Sequence, residues 1–582
     1  MQTGKRKLQA GLQQWMQALP FLLAGFVLMA LFVLYPLVRN IWISFTDFNV
    51  IQNRPNAWVG LRNYLSLLSD QNYRIAFRNT ILYALVTVPG QMACGLVLAC
   101  LVNSVRRGQT AFKVICYLPV ITSWVVVSMV FKYLFMSGKG GMVNYILMQL
   151  HLVESPVSWL QHTWTANLVL WLFGIWKGTG WVMVIYMAAL QGIPREIYEA
   201  AELDGANGIR RFFAITLPMV RNTTNYLLTV LTIGAFGAYI HVMMITDGAP
   251  LGTTNELMNY MYNTAFSTFD FGSAAAQAVL MGVIVLLLTL LQRRVSRDQP
   301  AYRRDGMRRI MTLVPKYLAL ICFALAALIP FQYMLATAMT PSSYSMPYPP
   351  ILFPETMYGG NFAEAWNANH FSQYFLNSLI IAAVATVVIM LVSSAGAYAF
   401  ARMKFPGRDV LFYLYLFSMM VPTVTNLIPQ FLLMKDMKLV DSYLGLLLIY
   451  IGIGVPQNTF FLRNFFLGLP KELEEAVIID GGNRWQIYWK MVLPLSKPAL
   501  GTFAILAYSN VWDEFLIALT MIKTPEKRTL PIALRLFQGQ NLNNWGLIFA
   551  ASLIAVVPIL LIYIVMQKKL IHGGAMDGML KG

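Results

Sequence analysis

The chain has 582 residues, of which 58% are hydrophobic and only 12% are charged. A water-soluble protein carries roughly 25% charged residues, so the composition excludes a chain built around a large aqueous domain and predicts one that crosses a membrane many times. The net charge of +18 is read as lysines and arginines that retain loops on the cytoplasmic side, with membrane lipid as a partner and no nucleic acid.

A spanning helix needs about 20 mostly apolar residues. Lys5-Arg6-Lys7 precede the first such run, which is too long for a cleaved signal peptide and reads as a span. Six candidates fall in the first half: Leu19–Val38, Ile81–Val102, Phe112–Phe135, Ala166–Leu190, Tyr226–Thr246 and Ser273–Leu291. Six more follow: Val314–Ala338, Leu376–Ala401, Val410–Met434, Tyr443–Phe466, Leu500–Met521 and Leu547–Gln567. Pro89, Pro119, Pro422 and Pro456 lie inside these runs and predict kinks. Between the two sets, Gln292–Pro315 is polar and carries Arg293, Arg294, Arg303, Arg304, Arg308 and Arg309. The organisation is therefore a first half, 1–292, a cytoplasmic linker, 293–315, and a second half, 316–582.

Charge fixes the orientation. The loops Asp247–Gly272 and Thr340–Phe375 contain no Lys or Arg, whereas the connections on the other side are rich in both. Both termini are expected inside. Six spans per half is an even number, so the halves enter and leave on the same face and form a parallel repeat. The expected fold is all-α, with twelve transmembrane helices.

Between spans four and five of each half the chain repeats itself. Pro194–Pro218 and Pro470–Pro494 align without a gap at a constant spacing of 276 residues. Nine positions are identical: the two terminal prolines, then Glu196/Glu472, Glu199/Glu475, Ala200/Ala476, Asp204/Asp480, Gly205/Gly481, Asn207/Asn483 and Leu217/Leu493. Each copy predicts two short helices joined by a glycine turn, because glycine tolerates the left-handed conformation of a helix C-terminus. The repetition extends to Asn63-Tyr64 and Asn79-Thr80, which match Asn361-Phe362 and Asn377-Ser378 at a spacing of 298. The difference between the two spacings places an insertion in the first half, in the outer loop Gly138–Thr165.

Glu199-Ala200-Ala201…Asp204-Gly205…Leu217-Pro218, and Glu475-Ala476-Val477…Asp480-Gly481…Leu493-Pro494, resemble the EAA loop of ABC importer permeases. The chain looks like two permease subunits of the maltose and glycerol-phosphate type joined in one. Asn510-Val511-Trp512-Asp513-Glu514-Phe515 with Thr529-Leu530-Pro531, and Gly248-Ala249-Pro250 with Tyr262, resemble the carbohydrate branch of that family. His241 departs from it, standing where an acidic residue is common. The resemblance implies two ATPase subunits docked on the cytoplasmic face, with ATP and Mg²⁺ bound there. It further implies an extracytoplasmic solute-binding protein, a carbohydrate solute, and a bacterial or archaeal plasma membrane. The residues it assigns to ATPase coupling are Glu199, Ala200, Asp204 and Gly205, with Glu475, Ala476, Asp480 and Gly481.

No Gly-x-x-x-x-Gly-Lys-Ser/Thr phosphate loop occurs, so the chain is not expected to hydrolyse ATP or to bind a cofactor. The four cysteines form no Cys-x-x-Cys pair and the five histidines are scattered, which gives no metal signature. The competing reading is a twelve-span secondary transporter driven by an ion gradient, which has two six-span halves but gives no reason for a duplicated loop between spans four and five. For the solute path, polar and aromatic residues inside spans are the candidates, since they usually face a cavity. These are Phe236, Tyr239 and His241 on the fifth span of the first half, Asn510, Trp512 and Glu514 on that of the second, and Lys177 on span four. For Lys177 the plain alternative is a side chain that snorkels outward.

Overall fold

The computed structural model describes residues 2–49, 56–105, 107–297, 313–341, 347–354, 357–420, 423–540 and 544–572. Among them the chain is helical, with two isolated bridges and no strand. Eight helices are long and apolar enough to cross a membrane: Gly11–Ile43, Gln71–Ser104, Thr163–Gln191 and Phe271–Gln292 in the first half, and Lys316–Ala338, Phe371–Arg402, Tyr443–Leu467 and Trp545–Ile562 in the second. They correspond to spans one, two, four and six of each half, and the chain is a multi-pass membrane protein. Pro89 and Pro456 sit inside helices that continue past them.

Spans three and five are broken into shorter helices, in span three of the first half just after Pro119, where a kink is expected. In the first half, span three is two helices, Gln109–Ile121 and Trp124–Leu134, bent by 96° at Thr122-Ser123. Span five stops at Phe236 and resumes as the wider turn Val242–Thr246. In the second half, Arg408–Met420 and Leu427–Asp436 replace span three, with Val421-Pro422 outside the described residues. Lys497–Trp512 and Leu516–Met521 replace span five. Hydropathy sums side chains and is blind to such breaks. Each break leaves backbone groups without helical partners, which apolar surroundings tolerate only where the protein or a cavity satisfies them.

The matched asparagines do the same work in both halves. Asn79 Nδ2 donates to the carbonyls of Thr253 (2.7 Å) and Asn255 (3.0 Å). Asn377 Nδ2 donates to those of Glu526 (2.8 Å) and Arg528 (3.0 Å). The neighbouring hydroxyls of Thr80 and Ser378 accept from the amides of Leu257 (2.9 Å) and Leu530 (2.7 Å). Each set pins the loop after span five to the start of span two, so the halves share a design as well as a loop.

The halves interlock. The first span of each packs against helices of the other: Gln2–Met29 on Phe371–Arg402 and Tyr443–Leu467, and Leu313–Ala338 on Gln109–Ile121. Phe21 stacks on Trp485 at 4.2 Å. Trp176 Nε1 donates to Ala326 O at 2.9 Å. The π-helical segment Ala30–Leu34 frees carbonyls that an α-helix would use. Gln430 Nε2 crosses over from the second half to donate to Phe32 O (2.8 Å), and Asn426 Nδ2 donates to Val33 O (3.2 Å).

The expected insertion in the first half carries a helix, Met142–Gln149, and is ordered around the fully buried Asn144. Its side chain bonds Val157 through both backbone groups and accepts from Trp159 Nε1 at 2.9 Å. The last helix of the first half runs to Arg297, past the expected start of the linker at 293. Residues 298–312, including Arg303 to Arg309, lie outside the described residues.

Candidate functional site

Two features are candidates: a cavity between the halves and the paired surface loops. The cavity has a volume of about 700 Å³ and takes its walls from the broken spans of both halves. Tyr117, Trp124, Trp181 and Tyr239 come from the first half; Tyr450, Asn458, Asn510, Asp513 and Glu514 come from the second.

The charged groups at its edge are held by the helix breaks. Span three of the first half ends at Ile121 and leaves the last carbonyls of a helix unpaired. Lys177 Nζ donates to three of the carbonyls around that break: Pro119 (2.7 Å), Val120 (3.0 Å) and Thr122 (2.5 Å). A cation at a helix C-terminus also meets the negative end of the helix dipole. Lys177 is therefore buried at 3% exposure and does not snorkel outward. Glu514 does the opposite job in the second half. It accepts from the amides of Ile517 (2.7 Å) and Ala518 (3.0 Å) at the start of Leu516–Met521, and from the Tyr450 hydroxyl (2.6 Å). Asp513 lies close enough to Lys177 for the two charges to attract across the boundary between the halves.

Of the residues expected on the solute path, Tyr239, Asn510 and Glu514 line this cavity. Lys177 lines a smaller adjoining chamber. Three do not line either space. Phe236 is 1% exposed within the hydrophobic core. Trp512 packs on Tyr508 and Phe375 at 5.8 and 5.7 Å. His241 is fully buried, with Nε2 3.3 Å from Glu256 Oε1 and its ring between Tyr83 and Phe173. Aromatic type and repeat position selected these three; both criteria are equally met by a residue facing the packed side of a helix. Trp124 and Trp181 line both spaces and were not singled out, because a tryptophan in an apolar run reads as packing.

The two loops have the expected form. The helices Arg195–Leu203 and Glu472–Ile479 end at Asp204 and Asp480. Gly205 and Gly481 follow at φ of +73° and +78°. In each turn the next amide bonds back five residues, Ala206 to Ala201 O and Gly482 to Val477 O, both at 2.8 Å. That is the glycine-dependent helix ending. Asn207 and Asn483 then cap the following helix by accepting from Arg210 and Gln486 amides at 2.9 Å. All eight residues assigned to coupling are exposed. So are three pairs of large apolar side chains at the 276-residue spacing: Ile197/Leu473, Leu203/Ile479 and Phe213/Trp489.

The loops are anchored differently. In the second, Arg402 at the end of span two meets buried Glu474 at 3.3 Å, and Arg484 approaches it at 3.7 Å. Arg402 also donates to the carbonyls of Phe466 and Leu469 at the end of span four. Burial raises the Glu474 carboxyl above its ordinary value, while Arg402, Arg484 and Lys471 pull it back. In the first loop the matching positions hold Ser104 and Tyr198. There the Tyr198 hydroxyl pairs with Thr216 Oγ1 at 3.0 Å, and an exposed Arg211–Glu202 bridge spans 3.0 Å.

Comparison with known proteins agrees with this architecture. A probable ABC transporter permease protein of Pyrococcus horikoshii is 35% identical over 263 residues, which is 45% of this chain and 95% of that protein. A diacetylchitobiose uptake system permease of Streptomyces coelicolor is 32% identical over 45% of this chain and 96% of its own length. A sulfoquinovosyl glycerol transport system permease of Agrobacterium fabrum is 32% identical over 46% and 93%. Each relative matches less than half of this chain over nearly its own full length, so the chain has the length of two such subunits. The family described as the binding-protein-dependent transport system inner membrane component matches twice, over residues 91–299 and 393–571. The chain belongs to that family, as a fused pair of its membrane-spanning transport domains.

Proposed function

We propose that this chain is the membrane path of an importer that carries a carbohydrate into the cytoplasm by alternating access, driven by two separate ATPase subunits. The observation that carries the reading is the cavity of about 700 Å³ between the halves. Its tryptophan and tyrosine faces beside the amides of Asn458 and Asn510 are the surfaces a sugar needs, with an apolar ring face and hydroxyls at its edge. The relatives named for diacetylchitobiose and sulfoquinovosyl glycerol uptake support the same solute class.

In this reading both termini, the linker 293–315 and both loops face the cytoplasm of a bacterial or archaeal cell. One ATPase docks on each loop, taking the exposed apolar pairs Leu203/Ile479 and Phe213/Trp489 into a groove. ATP and Mg²⁺ sit on those subunits. An extracytoplasmic binding protein, which the family's description names as a dependence, delivers the solute. Coupling then requires only that nucleotide binding favour one arrangement of the two halves over the other through differential contacts.

Affinity purification of the full chain from its own membranes tests this. The expected result is an ABC-type ATPase co-eluting at two copies per chain, with solute uptake in vesicles that stops on ATP depletion and persists when proton and sodium gradients are collapsed. Uptake that needs an ion gradient and no ATPase contradicts the reading.

A further inference from the structure

Arg463 stands near the end of span four of the second half, Tyr443–Leu467. Its Nε is buried and has no hydrogen-bond partner among the described residues, and no described carboxylate forms an ion pair with it. The guanidinium lies over the face of Phe412, 4.0 Å from the ring centre. Phe412 belongs to the neighbouring helix Arg408–Met420, which packs on span four. Arg408, Asp409 and Tyr413 of that helix are close enough to act on the charge of Arg463. We propose that Arg463 and Arg408 hold the phosphate of one anionic phospholipid where these two helices meet.

The chemistry is that of a phosphate site. Arginine presents a planar fork of donors that matches phosphate oxygens in pairs. The attraction between the guanidinium and the Phe412 ring holds that fork in place before any anion arrives. Two guanidiniums that feel one another's charge repel, and an anion between them removes the repulsion. Asp409 does not serve as that anion for Arg463, because its Oδ1 accepts from Arg408 Nε at 2.9 Å. Lys404 stands on the exposed connection just before Arg408, so Lys404, Arg408 and Arg463 together outnumber Asp409.

The surroundings select a lipid over a dissolved anion. Arg463 lies four residues before the end of its helix, which is about 6 Å inside the span at 1.5 Å per residue. Leu467, one turn further along the same face, is exposed, and so is Tyr413 beside the guanidinium. Val410 and Phe417 extend the exposed face of Tyr413 along its helix. Apolar side chains exposed at the depth of a span meet acyl chains, and a basic pocket between two helices at that depth suits an anionic head group. The site belongs to the second half alone: the residue 276 positions before Arg463 is Met187, which is buried.

The purified full chain would be equilibrated with mixed micelles holding equal amounts of phosphatidylglycerol and phosphatidylcholine, then passed through gel filtration, and the retained lipid measured by mass spectrometry. The native chain should retain phosphatidylglycerol at least about tenfold over phosphatidylcholine. Arg463→Met, which copies the first half, should lower that excess about fivefold. Arg408→Gln should do the same without disturbing the ring beneath Arg463. Arg294→Gln, an exposed basic position at the end of the first half's last helix, should leave the excess unchanged, and inorganic phosphate in excess should not displace the lipid. Equal retention of both lipids by the native chain, or an undiminished excess in either Arg463→Met or Arg408→Gln, overturns the proposal. An equal fall in Arg294→Gln shows only diffuse attraction to a basic surface and overturns it as well. Displacement by inorganic phosphate assigns the site to a dissolved anion and overturns the lipid as its occupant.

Discussion

The two repeated loops are copies in sequence and in backbone, yet they are fastened to the membrane domain by different chemistry. The first relies on one hydroxyl pair, Tyr198 to Thr216, and an exposed bridge between Arg211 and Glu202. The second is tied by Arg402, which holds Glu474 on the loop and the carbonyl end of span four together. Phe21 of the opposite half stacks on Trp485 of the same loop. The surface facing outward repeats, while the anchorage behind it does not. Under the proposed function, a fused pair keeps two equivalent docking faces behind which one joint is stiff and the other compliant.

The strongest way to break that contrast is Arg402→Ala. It leaves buried Glu474 with Arg484 alone at 3.7 Å, so the cost stays below the roughly 3–5 kcal/mol of a buried charge left without any partner. Hydrogen exchange should then show the helix Glu472–Ile479 opening readily, with Arg195–Leu203 unchanged. Equal protection of both loops in the variant would mean that the arginine is not the second loop's anchor. In the first loop, Tyr198→Phe leaves Thr216 without its partner. That loss is about 1 kcal/mol, read as a smaller rise in exchange confined to the first loop.

The outward faces should respond alike. Leu203→Ser and Ile479→Ser alter side chains that are 91% and 84% exposed. Stability should therefore shift by no more than about 0.5 kcal/mol, while each variant lowers the amount of ATPase retained on purification. An effect from one position alone would show that the docking faces are not equivalent. The smallest effect concerns the connection between spans three and four of the second half. Burial tends to raise the Asp441 carboxyl, but hydrogen bonds from the Thr524 hydroxyl and the amides of Thr524 and Lys523 outweigh it and hold the group below the usual range. A lowered folded value means that this tie contributes stability above the ordinary carboxylate pKa, near 3.9, and loses it as pH falls further. The stability difference between the native chain and Asp441→Asn should therefore be full and constant above about pH 3.9 and shrink progressively as pH falls below it. Parallel curves throughout would exclude the role.

Much of this was legible in the sequence because repetition carries information that composition does not. Gly205 and Gly481 pair at a fixed spacing, and both adopt the left-handed turn that only glycine makes easily. Asn79 and Asn377 pair likewise, and both pin the same loop. The broken spans were only partly legible: Pro119 and Pro422 mark span three for a kink, but no residue type marks the break in span five. Thr122-Ser123 and Asp513-Glu514-Phe515 sit in runs apolar enough to pass for continuous helices, and a window average cannot register where the backbone turns. Lys177 could be found as an unusual charge, but its partners are carbonyls created by a break elsewhere, and carbonyls have no sequence signal. Phe236, His241 and Trp512 were chosen by residue type, and the facing of a side chain around a broken helix does not follow from type.

The central claim is that both loops are docking elements that join this chain to its ATPases. It is tested most directly by the double variant Gly205→Val, Gly481→Val. A Cβ added at either glycine would meet nothing within 4 Å, so the substitution acts through the positive φ, which a β-branched residue adopts poorly. The quantity to measure is ATPase retained per chain after purification, alongside the amount of chain in the membrane. The account predicts normal membrane levels, loss of the bound ATPase and loss of solute uptake; full ATPase retention with undiminished uptake would contradict it.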